Sequence, residues 1–556
     1  MITPTDHTRF IRRCLLALTV FSMGSYLLCY AVINIWGFPL YCNTDMYADT
    51  LVARLIWEEK SLFPEGWIFS NQYYAAATPV LAALFYGITG NVNTAMVLAT
   101  QLMTLFILLS LWYLIRSFSR DSLWYFAACL ALMASTIAPD LPENRPAQIF
   151  FLMCSYYACY LITFFLVVGD YVRSRTDGRK RWGSWGLSLA LSYAMGIQSL
   201  RQTAAMTLPI LACELFLALR RKCQGQRFWP KEALPSLIRC LSYLGANLLG
   251  LATTAWIDPL HTAVYGQTSL TPLSQIFPKI QALWPAFQVI SGLKYGEDSL
   301  FLAFLSLFFI AIVLAAALLW LRRIRRPETA LELSWLVCLV GLVATALSTV
   351  VTGVKIRHIY LFLWYPLVVL SLLMVLEKLA VPGKMLLIAA LCLLSLGNLT
   401  HGYTLCAENA LQNSPGYAGK AFRLARAYGY HSYAETNEDF ASSRQLCQWA
   451  MDQGYEYVYG DWYVAPRIAV HSGGKLTAGY WWGSSMLQAN DHLTSLSFYA
   501  PENNAKAIYV LTPQDEDAFL SLARNQGAEP KKLITFGNYT AYRSEVPLMT
   551  LPQVSH

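Results

Sequence analysis

Tyr41-Cys-Asn-Thr-Asp45-Met-Tyr47-Ala-Asp49-Thr-Leu-Val-Ala-Arg54 follows the first long apolar block of the chain. Asn43 or Thr44 can cap a helix there, and such a helix puts Asp45 and Asp49, four apart, on one face of its first turns. The block before it, 14–36, is long enough to cross a hydrocarbon core of about 30 Å. The two carboxylates therefore fall at the lipid–water boundary, whereas a transporter buries its acids near the bilayer midplane.

On either side of this stretch the chain is mostly apolar. Of 556 residues, 56% are hydrophobic and only 13% charged, against about 25% charged in an ordinary soluble protein. About eleven blocks of roughly 20 apolar residues read as membrane spans: 14–36, 94–115, 122–139, 148–169, 185–200, 202–219, 235–256, 299–320, 331–352, 359–377 and 384–404. A further apolar helix, 75–90, is short and contains Pro79, so it reads as lying on or dipping into the membrane. Basic loops at 9–13, 116–120, 173–181, 220–231 and 322–326 then all share one face, which the positive-inside bias makes cytoplasmic. These features predict a multi-pass cell-membrane protein with a cytoplasmic N-terminus. The segments 37–93, 140–147, 257–298, 353–358 and 405–556 fall outside.

The net charge of +8 is mostly this topology signal. Its basic residues are spread over loops with no continuous groove, which argues against nucleic acid as a partner. Most of the 13 cysteines fall inside spans, where Cys behaves as a small hydrophobe. Cys42, Cys406 and Cys447 fall outside, and a Cys406–Cys447 bridge is open in an oxidising compartment. The first apolar block is too long for a removable signal peptide.

Two modules follow: a transmembrane module, 1–404, and a polar tail, 405–556, long enough for its own core. The tail alternates a helix at 441–454, strands at 455–459 and 507–511, a helix at 515–526, and a hairpin of 533–536 with 539–542 around Gly537-Asn538. This predicts a mostly α polytopic protein with a C-terminal extracytoplasmic α/β domain. No fixed-period repeat is visible, which opposes inverted-repeat transporter folds. No HExxH, CxxC or Gly-x-Ser-x-Gly motif is present.

Four further stretches stand out. Asn71-Gln-Tyr-Tyr-Ala-Ala-Ala-Thr-Pro79 opens the short helix that ends Phe85-Tyr-Gly-Ile-Thr-Gly90. Ala138-Pro-Asp-Leu-Pro-Glu143-Asn-Arg145-Pro-Ala-Gln148 forms an outer loop. Lys355-Ile-Arg357-His358-Ile-Tyr360 leads into a late span with Pro366. Gly196-Ile-Gln-Ser-Leu-Arg201 puts a cation in an apolar region. With Asp45-Met-Tyr-Ala-Asp49, their order and spacing over roughly 1–370 resemble the GT-C glycosyltransferases, integral membrane enzymes that use polyprenyl-phosphate sugars. The chain departs from the family pattern at Met46, where a second acid is usual, and in the order of Glu143 and Arg145.

The resemblance implies an inverting hexosyl- or pentosyltransferase with a polyprenyl-phosphate sugar donor and an extracytoplasmic cell-envelope glycan or lipid acceptor. Asp45 would be the catalytic base. Asp49, Glu143, Arg145, Arg201, Lys355, Arg357 and His358 would bind substrate, the cations meeting the lipid phosphate. Asp49 and Glu143 could also hold a divalent cation such as Mg or Mn. Plainer readings stand beside these. The acids would favour a helix N-terminus in any case, by about 0.3–1 kcal/mol each. Basic side chains snorkel at interfaces, and Glu143 can pair with Arg145. His261, Lys294, Glu297 and Asp298 read as mostly solvated loop residues. Tyr480-Trp481-Trp482 suits sugar stacking, but interfacial anchoring or core packing is the commoner use of such a cluster. A flippase for a lipid-linked glycan is the rival function, and it needs charges inside the spans.

Overall fold

The computed structural model describes every residue except 1–3, 71, 137–149, 153, 177–181, 229–232, 262–268, 294–299, 325–327, 414–436, 483–484 and 552–556. Its N-terminal part is a helical bundle, and the protein is a multi-pass membrane protein. Among the described residues, eight helices are long and apolar enough to cross a membrane. They include Thr8–Ala31 of helix α1 (Pro4–Tyr41), Val92–Ile115, Thr203–Cys223, Leu234–Ile257, Leu300–Arg323, Ala330–Val351, His358–Lys378 and Val381–Leu399.

The remaining expected spans are helical too, at Ser122–Thr136, Ala158–Thr176 and Trp182–Gln198, but they are shorter or more charged. The span expected at 148–169 is interrupted among its described residues: Phe150 is helical, a turn follows in which Ser155 adopts φ 47°, and the long helix begins at Ala158. It also runs on past 169 to take in Asp170, Arg173 and Arg175. Asp170 is fully buried and Arg173 nearly so. A helix enclosed by other helices need not match lipid along its whole length.

Helix α2 (Thr44–Glu59) and helix α3 (Thr78–Thr89) lie between α1 and α4 (Val92–Ile115). The 12 residues of α3 span about 18 Å, too short to cross. Thr44 and Val92 both bond to the C-terminal domain, so the stretch between them starts and ends on one side, as the charge pattern required. Helix α4 then carries the chain away. Near its start Asn93 donates to the Val470 carbonyl at 2.7 Å, and Arg116 caps its far end.

At that far end the basic loops gather. Arg12 pairs with Asp121 at 2.8 Å and Arg323 with Glu332 at 2.6 Å, and Arg220 reaches Glu328 at 2.9 Å. Arg239 pairs with Asp170, and Arg175 with Glu214. Helix pairs above this belt pack at very short range. A Cβ on Gly250 would meet the Tyr193 carbonyl at 2.1 Å, and one on Gly196 the Asn247 carbonyl at 2.0 Å.

The last helix of the bundle runs from Val381 to Asn413, and the C-terminal α/β domain follows from Asn437. Its five-stranded sheet has the order β3-β2-β5-β7-β6. The strands are β2 (Tyr457–Asp461), β3 (Thr477–Trp481), β5 (Ala507–Leu511), β6 (Lys531–Phe536) and β7 (Tyr539–Arg543). β3, β2 and β5 are parallel, and β6 and β7 form the expected hairpin. Gly537 sits in its turn at φ 51°. β3 was not foreseen, because Gly479 interrupts its β-former pattern. That glycine is required: a Cβ there would lie 2.7 Å from the Tyr459 ring. A second, two-stranded sheet pairs β1 (Trp67–Ile68) with β4 (Thr494–Ser495). Cys447 is a buried free thiol, and the side chain of Cys406 lies outside those described.

Candidate active site

Asn43 is the N-cap of α2, and its side chain accepts from the Met46 N–H at 3.0 Å. Asp45 and Asp49 follow on adjacent turns, as the spacing requires, but their surroundings differ. Asp45 is half-buried, while Asp49 is 1% exposed. Tyr74 Oη donates to Asp49 Oδ1 at 2.7 Å, and Oδ2 is buried with no hydrogen-bond partner among the described residues. Burial pushes the Asp49 carboxyl up to about 8; the Asp45 charge adds to the rise and the Tyr74 hydrogen bond opposes it. Near neutral pH Asp49 is then mostly the uncharged acid, fit to donate a hydrogen bond and unfit to take a proton.

Arg201 lies in the break between two helices, directly before a π-helical turn at Thr203–Thr207. Such turns recur at functional sites because they re-aim side chains. Its Nη1 donates to Tyr157 Oη at 2.7 Å, and the guanidinium lies over the Tyr360 ring, 4.7 Å from its centre. Gln198, one turn earlier, accepts from Ala76 N at 3.2 Å and, through its backbone carbonyl, from Tyr73 N at 3.0 Å. The approach to α3 is thereby fixed beside Arg201.

Lys355 and Arg357 are exposed and His358 is half-buried. The segment before them is pinned by Lys279, whose Nζ reaches the Thr349 and Val354 carbonyls at 3.1 and 2.9 Å, and that of Thr352. Arg357 then enters a 3-10 turn, His358–Leu361, that buries Tyr360. The Arg357 charge acts on both His492 and Tyr157. Arg201 and Arg357 thus share one tyrosine neighbourhood.

The sheet domain forms the roof. Thr44 Oγ1 donates to the Trp462 carbonyl at 2.5 Å. Tyr47 Oη accepts from Ala478 N at 2.9 Å, and Arg54 donates to the Gly474 carbonyl at 2.8 Å. Burial pushes the Tyr480 hydroxyl in this roof up, and Tyr499, Tyr47 and the Asp45 charge add to the rise. Asp45, in the first turn of α2, therefore lies close to the sheet domain.

Of the expected residues, Asp45, Asp49, Arg201, Arg357 and His358 are brought to this region, with Lys355 on its exposed rim. Glu143, Arg145, Lys294, Glu297 and Asp298 lie outside the described residues, and His261 is exposed. Sequence reading missed the part played by Tyr74, Tyr157, Gln198, Tyr360, Trp462 and His492. Tyr74 and Tyr360 stand inside the stretches singled out above. Nothing local marked Trp462 or His492.

No protein-family model matches the chain, and no curated protein matches it by sequence. Solved structures do match it. ArnT from Cupriavidus metallidurans bound to undecaprenyl phosphate aligns with a TM-score of 0.52 at 14% identity, over 96% of this chain and 99% of that one. ArnT from the same organism in the apo state aligns with a TM-score of 0.53 at 13% identity, over 92% and 95%. The chain has the GT-C fold.

The order of motifs had implied that fold. Among the described residues no three His, Cys, Asp or Glu side chains converge, and Glu143 lies outside those residues. No step below uses a metal.

Proposed function

We propose that this GT-C protein is an inverting glycosyltransferase. It moves one hexose or pentose from a polyprenyl-phosphate-linked donor to an extracytoplasmic cell-envelope glycan or lipid. The reading is supported by a half-buried carboxylate, Asp45, next to the residue that bonds the sheet domain, and by two cations, Arg201 and Arg357, that make no ion pair among the described residues and lie near Tyr157. The ArnT structure with undecaprenyl phosphate supports a lipid-phosphate donor.

In the proposed step an acceptor hydroxyl attacks the anomeric carbon and its proton passes to Asp45. The bond from that carbon to the phosphate oxygen breaks with inversion, and Arg201 and Arg357, with Lys355 or His358, meet the charge left on the polyprenyl phosphate. Asp49, kept neutral, orients the acceptor through its proton. The same proposal includes a membrane module, 1–404, and an extracytoplasmic domain, 405–556, with a cytoplasmic N-terminus. A flippase would need a polar path among the helices. The buried acids Asp170 and Glu214 are instead tied to arginines at the far end of the bundle.

The test compares purified wild type with Asp45→Asn, using radiolabelled polyprenyl-phosphate sugars and an envelope extract as acceptor. Transfer by wild type alone upholds the reading. Full transfer by a folded Asp45→Asn protein removes it.

A further inference from the structure

β2 and β3 end side by side, with Asp461 opposite Trp481. The next residue of each strand is a tryptophan, and the two rings stack: Trp462 and Trp482 have centroids 4.4 Å apart and planes 16° from parallel. Trp462 is 6% exposed, wedged edge-on against Tyr480 and beside His492. Trp482 is 42% exposed. A buried ring therefore holds an exposed ring flat and leaves its outer side open. Trp481, by contrast, is core.

Asn490 lies close by. Its backbone N–H donates to the Tyr480 carbonyl at 2.9 Å, two residues from Trp482 along β3. The side chain is 3% exposed, and neither its carboxamide nitrogen nor its oxygen has a hydrogen-bond partner among the described residues. Leaving both atoms unsatisfied is costly, and buried polar groups are rarely left so without a reason. His492 is 8% exposed, two residues further on.

The place is also right for a ligand. The chain runs from β2 to β3 and then back across β2 to β5, and Trp462 and Trp482 follow the carboxyl ends of two neighbouring parallel strands. Ligands of open α/β sheets bind outside the carboxyl ends of parallel strands. Thr44, the neighbour of Asp45, holds the Trp462 carbonyl, and the Arg357 charge acts on His492.

We propose that Trp482, backed by Trp462 and flanked by Asn490 and His492, binds a saccharide ring of the acceptor. A sugar ring has an apolar C–H face and a hydroxyl edge. The flat indole suits the first, and a carboxamide that both donates and accepts suits neighbouring hydroxyls on the second. Burial and the Arg357 charge push His492 down to about 4, so its neutral ring can also donate and accept. The occupant is the acceptor because the platform belongs to the sheet domain, whereas the cations assigned to the donor phosphate are on the membrane helices. This assignment rests on the transferase reading.

Saturation-transfer NMR with methyl hexosides, N-acetylhexosaminides and pentosides measures binding without any donor. At least one glycoside should bind wild type, bind Trp482→Ala roughly 3- to 10-fold more weakly, and recover in Trp482→Phe. Asn490→Leu should lose glycoside binding while its melting temperature holds or rises, since it removes two unsatisfied atoms; a structural asparagine would give a fall. With labelled donor, acceptor KM should rise in Trp482→Ala and donor KM should not. If Trp482→Ala fails to fold, Trp482→Phe and Asn490→Leu still carry the test. No glycoside binding to wild type, or equal binding to wild type and the Trp482→Ala and Asn490→Leu variants, overturns the platform. Transfer that still depends on Asp45 would then leave the proposed function standing. Glycoside binding that needs Trp482, in a protein that transfers nothing, upholds a saccharide site and removes the acceptor assignment.

Discussion

The two ends of the helical bundle treat charge in opposite ways. At the end away from the sheet domain, Asp170 accepts from Arg239, from Tyr243 at 2.5 Å and from Ser184 at 2.6 Å. Glu214 there accepts from Tyr171 at 2.8 Å as well as from Arg175. At the other end Arg201 rests on tyrosines, and among the described residues neither Arg201 nor Arg357 makes an ion pair. A cation matched to a buried carboxylate is committed to the fold. A cation held by neutral hydroxyls and rings keeps its charge for an incoming anion. Under the proposed function, this difference separates charges committed to the fold from those that would meet the lipid phosphate.

The largest expected effect tests the acting end. Asp45→Asn should lower transfer by about 10²–10⁴-fold, the usual worth of a positioned base, with an unchanged melting temperature. A protein that unfolds instead would put Asp45 with the structural charges. Asp170→Asn tests the committed end. It leaves Arg239 buried without its counter-charge and should cost about 3–5 kcal/mol of stability, read by thermal melts in detergent. Transfer lost at full stability would break the comparison from that side. Arg201→Gln should come next, raising donor KM roughly 10- to 100-fold, the worth of a charged hydrogen bond, with little change in acceptor KM.

Two pH effects are smaller and opposite in sign. Asp49 titrates near 8 when folded and near 3.9 when unfolded. Its contribution to stability is full below the unfolded value and is lost as pH rises through 8. Asp49→Asn mimics the neutral acid, so its melting temperature should gain on wild type between pH 5 and 9, with the fold intact. His471 accepts from or donates to Ser443 at 3.0 Å, and burial, with the Arg444 charge, pushes it down to about 4. Its contribution is full above roughly 6.5 and is lost as pH falls toward 4. His471→Gln should therefore gain on wild type as the medium is acidified. A parallel pH response in both variants would contradict these assignments.

Much of this was legible in the sequence because it is local. The Asn43 cap, the spacing of Asp45 and Asp49, the short α3 and the hairpin at Gly537 all follow from neighbouring residues. The unequal fates of the two acids were not legible. Asp49 is buried by Tyr74 and by the Cys154 turn, which come from elements far along the chain, and no pattern at 45–49 encodes them. Trp462 was missed for the same reason: alone it reads as one more core aromatic, and only the pairing of β2 with β3 sets it under Trp482. The 148–169 span was misjudged at its start because hydropathy does not register the turn at Ser155.

The joint between α2 and the sheet domain also dictates a timetable. Arg54 and Gly474 are bonded across 420 positions of chain. At 5–20 residues per second, roughly 20–80 s of translation separate the two partners. During that interval the helices can already be in the bilayer while α2 waits without the sheet domain above Thr44 and Asp45. The joint over α2 forms only when the sheet domain has been made. A chain released before Gly474 would carry the helices without the bonds that join α2 to the sheet domain.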